Sequence, residues 1–66
     1  MAVARVTEIT ASSTKGFQDA FQAGIDRAAA TLRNITGAEI ISQKAKIENG
    51  KISEYRVTLK VTFVLE

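Results

Sequence analysis

From Tyr55 to Phe63 apolar and polar residues alternate without a fault: Tyr55, Val57, Leu59, Val61 and Phe63 fall on one side, with Arg56, Thr58, Lys60 and Thr62 between them, and Leu65 rejoins the apolar side past Val64. Successive side chains of an extended strand point to opposite faces, so this run predicts a strand with one apolar and one wet face. It extends from Ile52 to Leu65. At about 3.4 Å per residue such a strand reaches roughly 48 Å. Whatever covers its apolar face must be equally long, or the face must be shared.

The only candidate cover is a helix. Phe17, Ala20, Phe21, Gly24, Ile25, Ala28, Leu32 and Ile35 recur at steps of three and four, which stacks them on one stripe. Gln18, Gln22, Asp26 and Arg33 fall on the other side, and the Ala28-Ala29-Ala30 run has high helix propensity. A helix from Lys15 to Asn34 is expected, capped by the hydroxyls of Ser13 or Thr14 without a capping box and bracketed at its end by Asn34 and Gly37. Gly24 lies on the apolar stripe, where the expected reason is close packing against a strand. A helix of that length covers only about 30 Å, so it cannot roof the whole strand.

Two further strands are expected. Val3 to Thr10 is rich in β-branched residues, although Val6 and Ile9 fall on opposite faces. Ala38 to Ile47 joins the last strand through Glu48-Asn49-Gly50-Lys51, and Asn-Gly at the centre tolerates positive φ twice, as a type I′ turn requires. Placing Glu48 opposite Lys51 sets the register: Ala38 meets Val61, Ile40 meets Leu59, Glu39 meets Lys60 and Gln43 meets Arg56. In this register Gly37, Glu39, Ile41 and Gln43 share the outer face with Arg56, Thr58, Lys60 and Thr62. Lys44 and Lys46 then interrupt the helix-facing row near a solvated, projecting tip. Glu39 with Lys60 reads as a register-setting ion pair, and Arg56 with Gln43 as a solvated cross-strand pair.

Composition limits both stability and chemistry. A single domain spanning 1–66 buries roughly 60% of its unfolded surface, which leaves cores of this size marginal. The chain has neither Cys nor His, so disulfides and the usual zinc, haem and iron–sulfur ligand sets are missing. Oligomerisation is the remaining source of stability. The side chains that most often move protons or attack as nucleophiles near neutral pH are also absent, so the chain is not expected to be an enzyme. Nine basic residues against seven acidic ones are dispersed along the chain with few aromatics, which argues against nucleic acid as a partner. Neither a signal-type segment nor an 18-residue apolar run is visible, so no membrane partner and a cytoplasmic location are expected. The fold class is α+β: a β-α-β-β chain with a three-stranded antiparallel sheet half-wrapped around one helix, in a homo-oligomer.

The order of elements and their wording together resemble the dodecin family. The resemblance is carried by Val6-Thr7-Glu8-Ile9 with Ser12-Ser13, by Ile25-Asp26-Arg27-Ala28 with Thr31-Leu32-Arg33, and by Gly50-Lys51-Ile52 with the run from Tyr55 to Glu66. No one motif is specific; the co-linear match over nearly the whole chain is. The resemblance implies a hollow homododecamer built from trimers, which binds flavins (FMN, FAD or riboflavin) in paired sites between subunits and stores or sequesters them.

Two positions depart from that pattern. Where flavin-binding dodecins place a tryptophan that stacks on the isoalloxazine ring, this chain has Gly37; where they place a ring-bonding glutamine, it has Arg56. Aromatic stacking is worth about 1–3 kcal/mol per ring, so flavin binding is expected to be weak or lost. Lys44, at a position often basic in the family, is a candidate contact for a phosphorylated ligand. The alternative is a structural or ion-binding oligomer without flavin, similar to relatives that lack the tryptophan and bind calcium. Glu39, Glu8 and backbone carbonyls would then supply oxygens, without any EF-hand pattern.

Overall fold

The computed structural model describes residues 3–65 as β1 (Val3–Ser13), α1 (Phe17–Ala29), β2 (Ile35–Glu48) and β3 (Lys51–Leu65). Met1 and Ala2, and the Glu66 that closes the family-like ending, lie outside the described residues. The sheet is antiparallel with order β1-β3-β2, which is the expected β-α-β-β architecture. The strand with the cleanest alternation takes the centre, where both of its edges are hydrogen-bonded and one face meets the helix. Val57, Leu59 and Val61 are accordingly 1%, 0% and 0% exposed.

The helix reaches this face through Ala20, Gly24 and Ala28. A Cβ on Gly24 would lie 3.1 Å from Ala11 Cβ and 3.5 Å from Leu59 Cδ2, so the glycine allows α1 to sit close to β1 and β3. Phe21, Ile25, Leu32, Ile35 and Ile9 pack around this centre. Phe17 meets Tyr55 edge to face, with ring centroids 5.0 Å apart.

Both helix ends differ from expectation. β1 continues to Ser13, and Gly16 rather than a hydroxyl residue occupies the N-cap without a side-chain bond. Ser13 Oγ instead accepts from the Lys15 N–H (2.9 Å) and donates to Asp19 Oδ2 (2.6 Å), tying the first turn to the strand end. At the other end the Thr31 and Leu32 N–H groups both bond to the Ala28 carbonyl (3.1 and 2.8 Å), closing a tight turn where Lys15–Asn34 would have continued. Asn34 then takes φ 61°, a left-handed conformation that Asn tolerates, and its carbonyl accepts from Val64 N–H at 3.0 Å. Leu32 and Ile35 keep their place in the apolar cluster, but Ile35 does so from the start of β2, opposite Phe63. Gly37 is consequently a strand residue opposite Thr62, not the helix end.

The hairpin forms as expected, with φ 52° at Asn49 and 75° at Gly50. Glu48 opposes Lys51, and the Ala38–Val61, Glu39–Lys60 and Ile40–Leu59 pairs also hold. Between them the register slips: Gln43 opposes Val57, and Lys44 rather than Gln43 opposes Arg56. Ile41 is the extra residue that starts the slip, and Ser53 on β3 is the one that ends it. Ser53 Oγ donates to the Lys46 carbonyl at 3.2 Å and lies 3.3 Å from Glu48 Oε1. The physical reason is polarity. In the unbroken register Lys44 would share the apolar face with Tyr55, whereas the bulge turns Lys44 and Lys46 outward, beside Arg56 and Glu54.

The result is long and thin, 51 × 19 × 13 Å. Its radius of gyration is 13.6 Å, against about 11 Å for a compact chain of this length. Helix α1 is 13 residues long, about 20 Å, and leaves more of β3 uncovered than the sequence suggests.

Candidate functional site

Opposed residues of an antiparallel sheet share a face, so the ladder places the four candidate residues directly. On the face turned away from α1, successive rows across β1, β3 and β2 read Val6–Thr62–Gly37, Glu8–Lys60–Glu39, Thr10–Thr58–Ser42 and Ser12–Arg56–Lys44. Gly37, Glu39 and Arg56 therefore lie on one surface, as expected; Lys44, expected in the helix-facing row, joins them through the bulge, and Gln43 has left for the helix side. Thr10 and Thr58 join their hydroxyls at 3.3 Å in the middle of it.

The structure brings Lys44 and Arg56 together but not Gly37 and Arg56. Gly37 sits opposite Thr62, and the six residues from Thr62 back to Arg56 span about 20 Å of extended strand. No ring-sized ligand touches both within one chain. Around Gly37 the backbone is open: a Cβ there would meet nothing within 4 Å.

At the other end of the face Lys44, Lys46 and Arg56 line a recess of about 310 Å³ with Ala45. Arg56 Nε donates to Glu54 Oε1, its neighbour two residues back on the same strand face, and this replaces the expected Arg56–Gln43 pair. That hydrogen bond, reinforced by the charges of Arg56 and Lys46, holds the Glu54 carboxyl below its ordinary value against some desolvation. Lys46 Nζ in turn lies 3.5 Å from Glu48 Oε1. These exposed pairs contribute only about 0–1 kcal/mol each, so they organise the surface more than they stabilise the fold. Glu54 was the residue that sequence reasoning passed over. Opposite charges two apart on one strand face were the available signal.

Lys60 stands between Glu8 and Glu39 on the two neighbouring strands. The expected Glu39–Lys60 alignment thus holds in register, while the described ion pairs are those of Lys46 with Glu48 and Arg56 with Glu54. The two carboxylates are separated by the whole width of β3, about 10 Å between backbones, with a cation in the middle. Among the described residues no group of three or more acidic, His or Cys side chains is placed to hold a metal ion. None of the described helices is long and apolar enough to cross a membrane.

Comparison with known proteins agrees with this architecture. The family model for dodecin matches residues 3–66. The dodecin of Thermus thermophilus is 34% identical over 64 residues, covering 97% of this chain and 93% of that protein. Among solved structures, dodecin from Streptomyces davaonensis superposes with a TM-score of 0.93 at 35% identity, covering 98% of this chain and 96% of that one. A tryptophan-to-phenylalanine variant of Thermus thermophilus dodecin gives 0.94 at 33% identity over 100% and 98%. The calcium-chelating calcium dodecin of Mycobacterium tuberculosis gives 0.84 at 29% identity over 97% and 91%. The Thermus protein has a tryptophan to vary; the present chain has none.

Proposed function

Because this chain belongs to the dodecin family, we propose that it is a small-molecule binding and storage subunit of a hollow homododecamer whose ligand is anionic and whose affinity for a bare flavin ring is weak. The observation that carries the reading is the pairing of an empty stacking position with a filled cationic one. Gly37 offers no side chain to a ring and open space where one would stack, while Lys44 and Arg56 stand side by side on the same face. Charge-assisted bonds to phosphate are about twice as strong as neutral ones, so the ligand's phosphate is held better than its ring. The separation of Gly37 from Arg56 supports a site completed by a second subunit.

In this role the chain binds rather than catalyses; a cytoplasmic carrier is the setting we assign it. Twelve copies of the 7.1 kDa chain give about 85 kDa, the mass that closed symmetry requires of the particle. The experiment that tests the reading is a fluorescence titration of riboflavin and of FMN into the purified protein. FMN should bind at least tenfold tighter than riboflavin, as one charge-assisted contact allows at about 1.4 kcal/mol per tenfold step. Submicromolar riboflavin binding would show that other residues replace the lost stack and would overturn it.

The calcium-chelating neighbour favours a second reading, an ion-binding oligomer without flavin. Glu39 and Glu8 would be its oxygen donors, and Lys60 between them opposes it. Calorimetric titration with calcium decides: heat of binding that disappears in Glu39→Gln supports the ion, and its absence leaves the anionic ligand.

A further inference from the structure

We propose that Asn49 is a site of spontaneous covalent modification: with Gly50 it closes to a cyclic imide, releases ammonia and is left as aspartate or isoaspartate, while the chain's other asparagine, Asn34, stays intact. Asparagine is a thermolabile residue, and its loss depends on whether the next backbone nitrogen reaches its carboxamide carbon. Both asparagines hold a left-handed backbone, with φ 61° at Asn34 and 52° at Asn49. Their neighbours separate them. Gly50 has no side chain beside its nitrogen, a Cβ there would meet nothing within 4 Å, and its N–H enters none of the described turn and loop backbone bonds. Asn34 is followed by Ile35, a β-branched residue packed against the core and paired with Phe63, and its own carbonyl accepts from Val64 N–H at 3.0 Å.

Ring closure brings the Gly50 nitrogen round to the Asn49 side chain, which rotates Asn49 ψ out of the type I′ turn, so the tip must open first. The register supplies the means. β2 and β3 slip between Lys46 and Ile47, with Ser53 as the extra residue, and beyond this bulge the tip is closed by the Ile47–Ile52 and Glu48–Lys51 pairs alone. All four residues are exposed, as are Asn49 and Gly50. A bulge interrupts the ladder, so the tip opens as a local unit while the Lys46–Glu54 and Lys44–Arg56 pairs stay closed.

The chemistry needs only water and a base, and neither a ligand nor a second copy. The base takes the Gly50 N–H proton, the nitrogen bonds to Asn49 Cγ, and the carboxamide nitrogen leaves with a proton as ammonia. Water then opens the imide. Breaking the bond from the Gly50 nitrogen to Cγ leaves aspartate; breaking its bond to the Asn49 main-chain carbonyl carbon leaves isoaspartate, whose backbone runs through Cβ and Cγ. Either product lowers the formal net charge of +2 by one. Isoaspartate also lengthens the backbone by one atom, which a two-residue turn of fixed φ does not absorb, so the tip then stays open as far as the Ser53 bulge.

The experiment holds the purified full chain in warm, mildly alkaline buffer and follows it by peptide mass spectrometry, with isoaspartyl methyltransferase as the probe for isoaspartate. The mass gain of an amide turned to acid should appear in the peptide carrying Asn49 and not in that carrying Asn34, and should accelerate as pH rises. Asn49→Gly, which keeps a residue suited to positive φ, should lose the signal; circular dichroism checks its fold, and the wild-type map decides alone should that variant unfold. Hydrogen exchange in the modified protein should quicken at Ile47, Glu48, Lys51 and Ile52 and hold its rate at Lys44 and Arg56. A folded chain that keeps Asn49 while the denatured chain loses it shows that the turn protects the residue and overturns the inference, as does equal loss at Asn34. Exchange that quickens along the whole β2–β3 ladder overturns the role given to the bulge.

Discussion

Lys44 stands directly opposite Arg56 across the β2–β3 ladder, two cations on one face of the sheet. Like charges directly opposed repel, so the pairing persists because Glu54 neutralises Arg56 from the same strand. The bulge at Ile41 creates the relationship; without it Arg56 would face Gln43.

Removing the two cations should act on the phosphate and not on the ring. Lys44→Gln and Arg56→Met should each lower FMN affinity by about tenfold, the worth of one charge-assisted hydrogen bond, and leave riboflavin affinity unchanged. Parallel fluorescence titrations check this, and an equal loss for both ligands would mean the cations support the fold instead.

Restoring the missing aromatic should act on the ring. Gly37 has room for a Cβ on every side and no left-handed φ, so Gly37→Trp should fold normally. One stacking partner worth about 1–3 kcal/mol raises riboflavin affinity roughly five- to a hundredfold. Quenching of riboflavin fluorescence measures it.

The Glu54–Arg56 bond makes a pH prediction with a definite sign. Arg56, by hydrogen bond and then by charge, lowers the Glu54 pKa from its ordinary 4.5. A carboxylate depressed in the folded state contributes stability that is present above the unfolded value and lost as pH falls through the lower folded value. The difference in denaturation midpoint between wild type and Glu54→Gln should therefore be constant above about pH 5.5, one unit above the ordinary carboxylate value, and vanish on acidification below 4.5. Glu54→Gln also frees Arg56, so its FMN affinity should rise.

The centre of the fold tolerates little. Leu59 is fully buried, and Leu59→Ala should cost about 2–5 kcal/mol, enough to unfold a chain this small on its own. Gly24→Val places branched atoms against Ala11, already 3.1 Å from a hypothetical Cβ, and should cost about 1–3 kcal/mol by overpacking. Denaturant midpoints at fixed protein concentration test both.

Much of this architecture was legible because it is local. The alternation from Tyr55 to Phe63 identified a strand with one apolar face, Asn49-Gly50 identified the turn, and Gly24 announced a close approach before its neighbours were known. The helix was overdrawn for an instructive reason: Leu32 and Ile35 satisfy helical spacing, yet they reach the core from a turn and a strand. Periodicity reports that residues face the core, not by which backbone path they arrive.

By itself, then, the sequence determined the element order, the sheet face of Gly37, Glu39 and Arg56, and the shortage of cover over β3, because each follows from side-chain polarity at fixed spacing. Only the tertiary structure decided the company those residues keep. A single extra residue at Ile41 shifts the partners of Ser42 to Lys46 by one until Ser53 restores the register, moving Lys44 beside Arg56 and Gln43 away from it, and the energy that selects this slip comes from keeping lysines out of a face that exists only once helix and sheet have met.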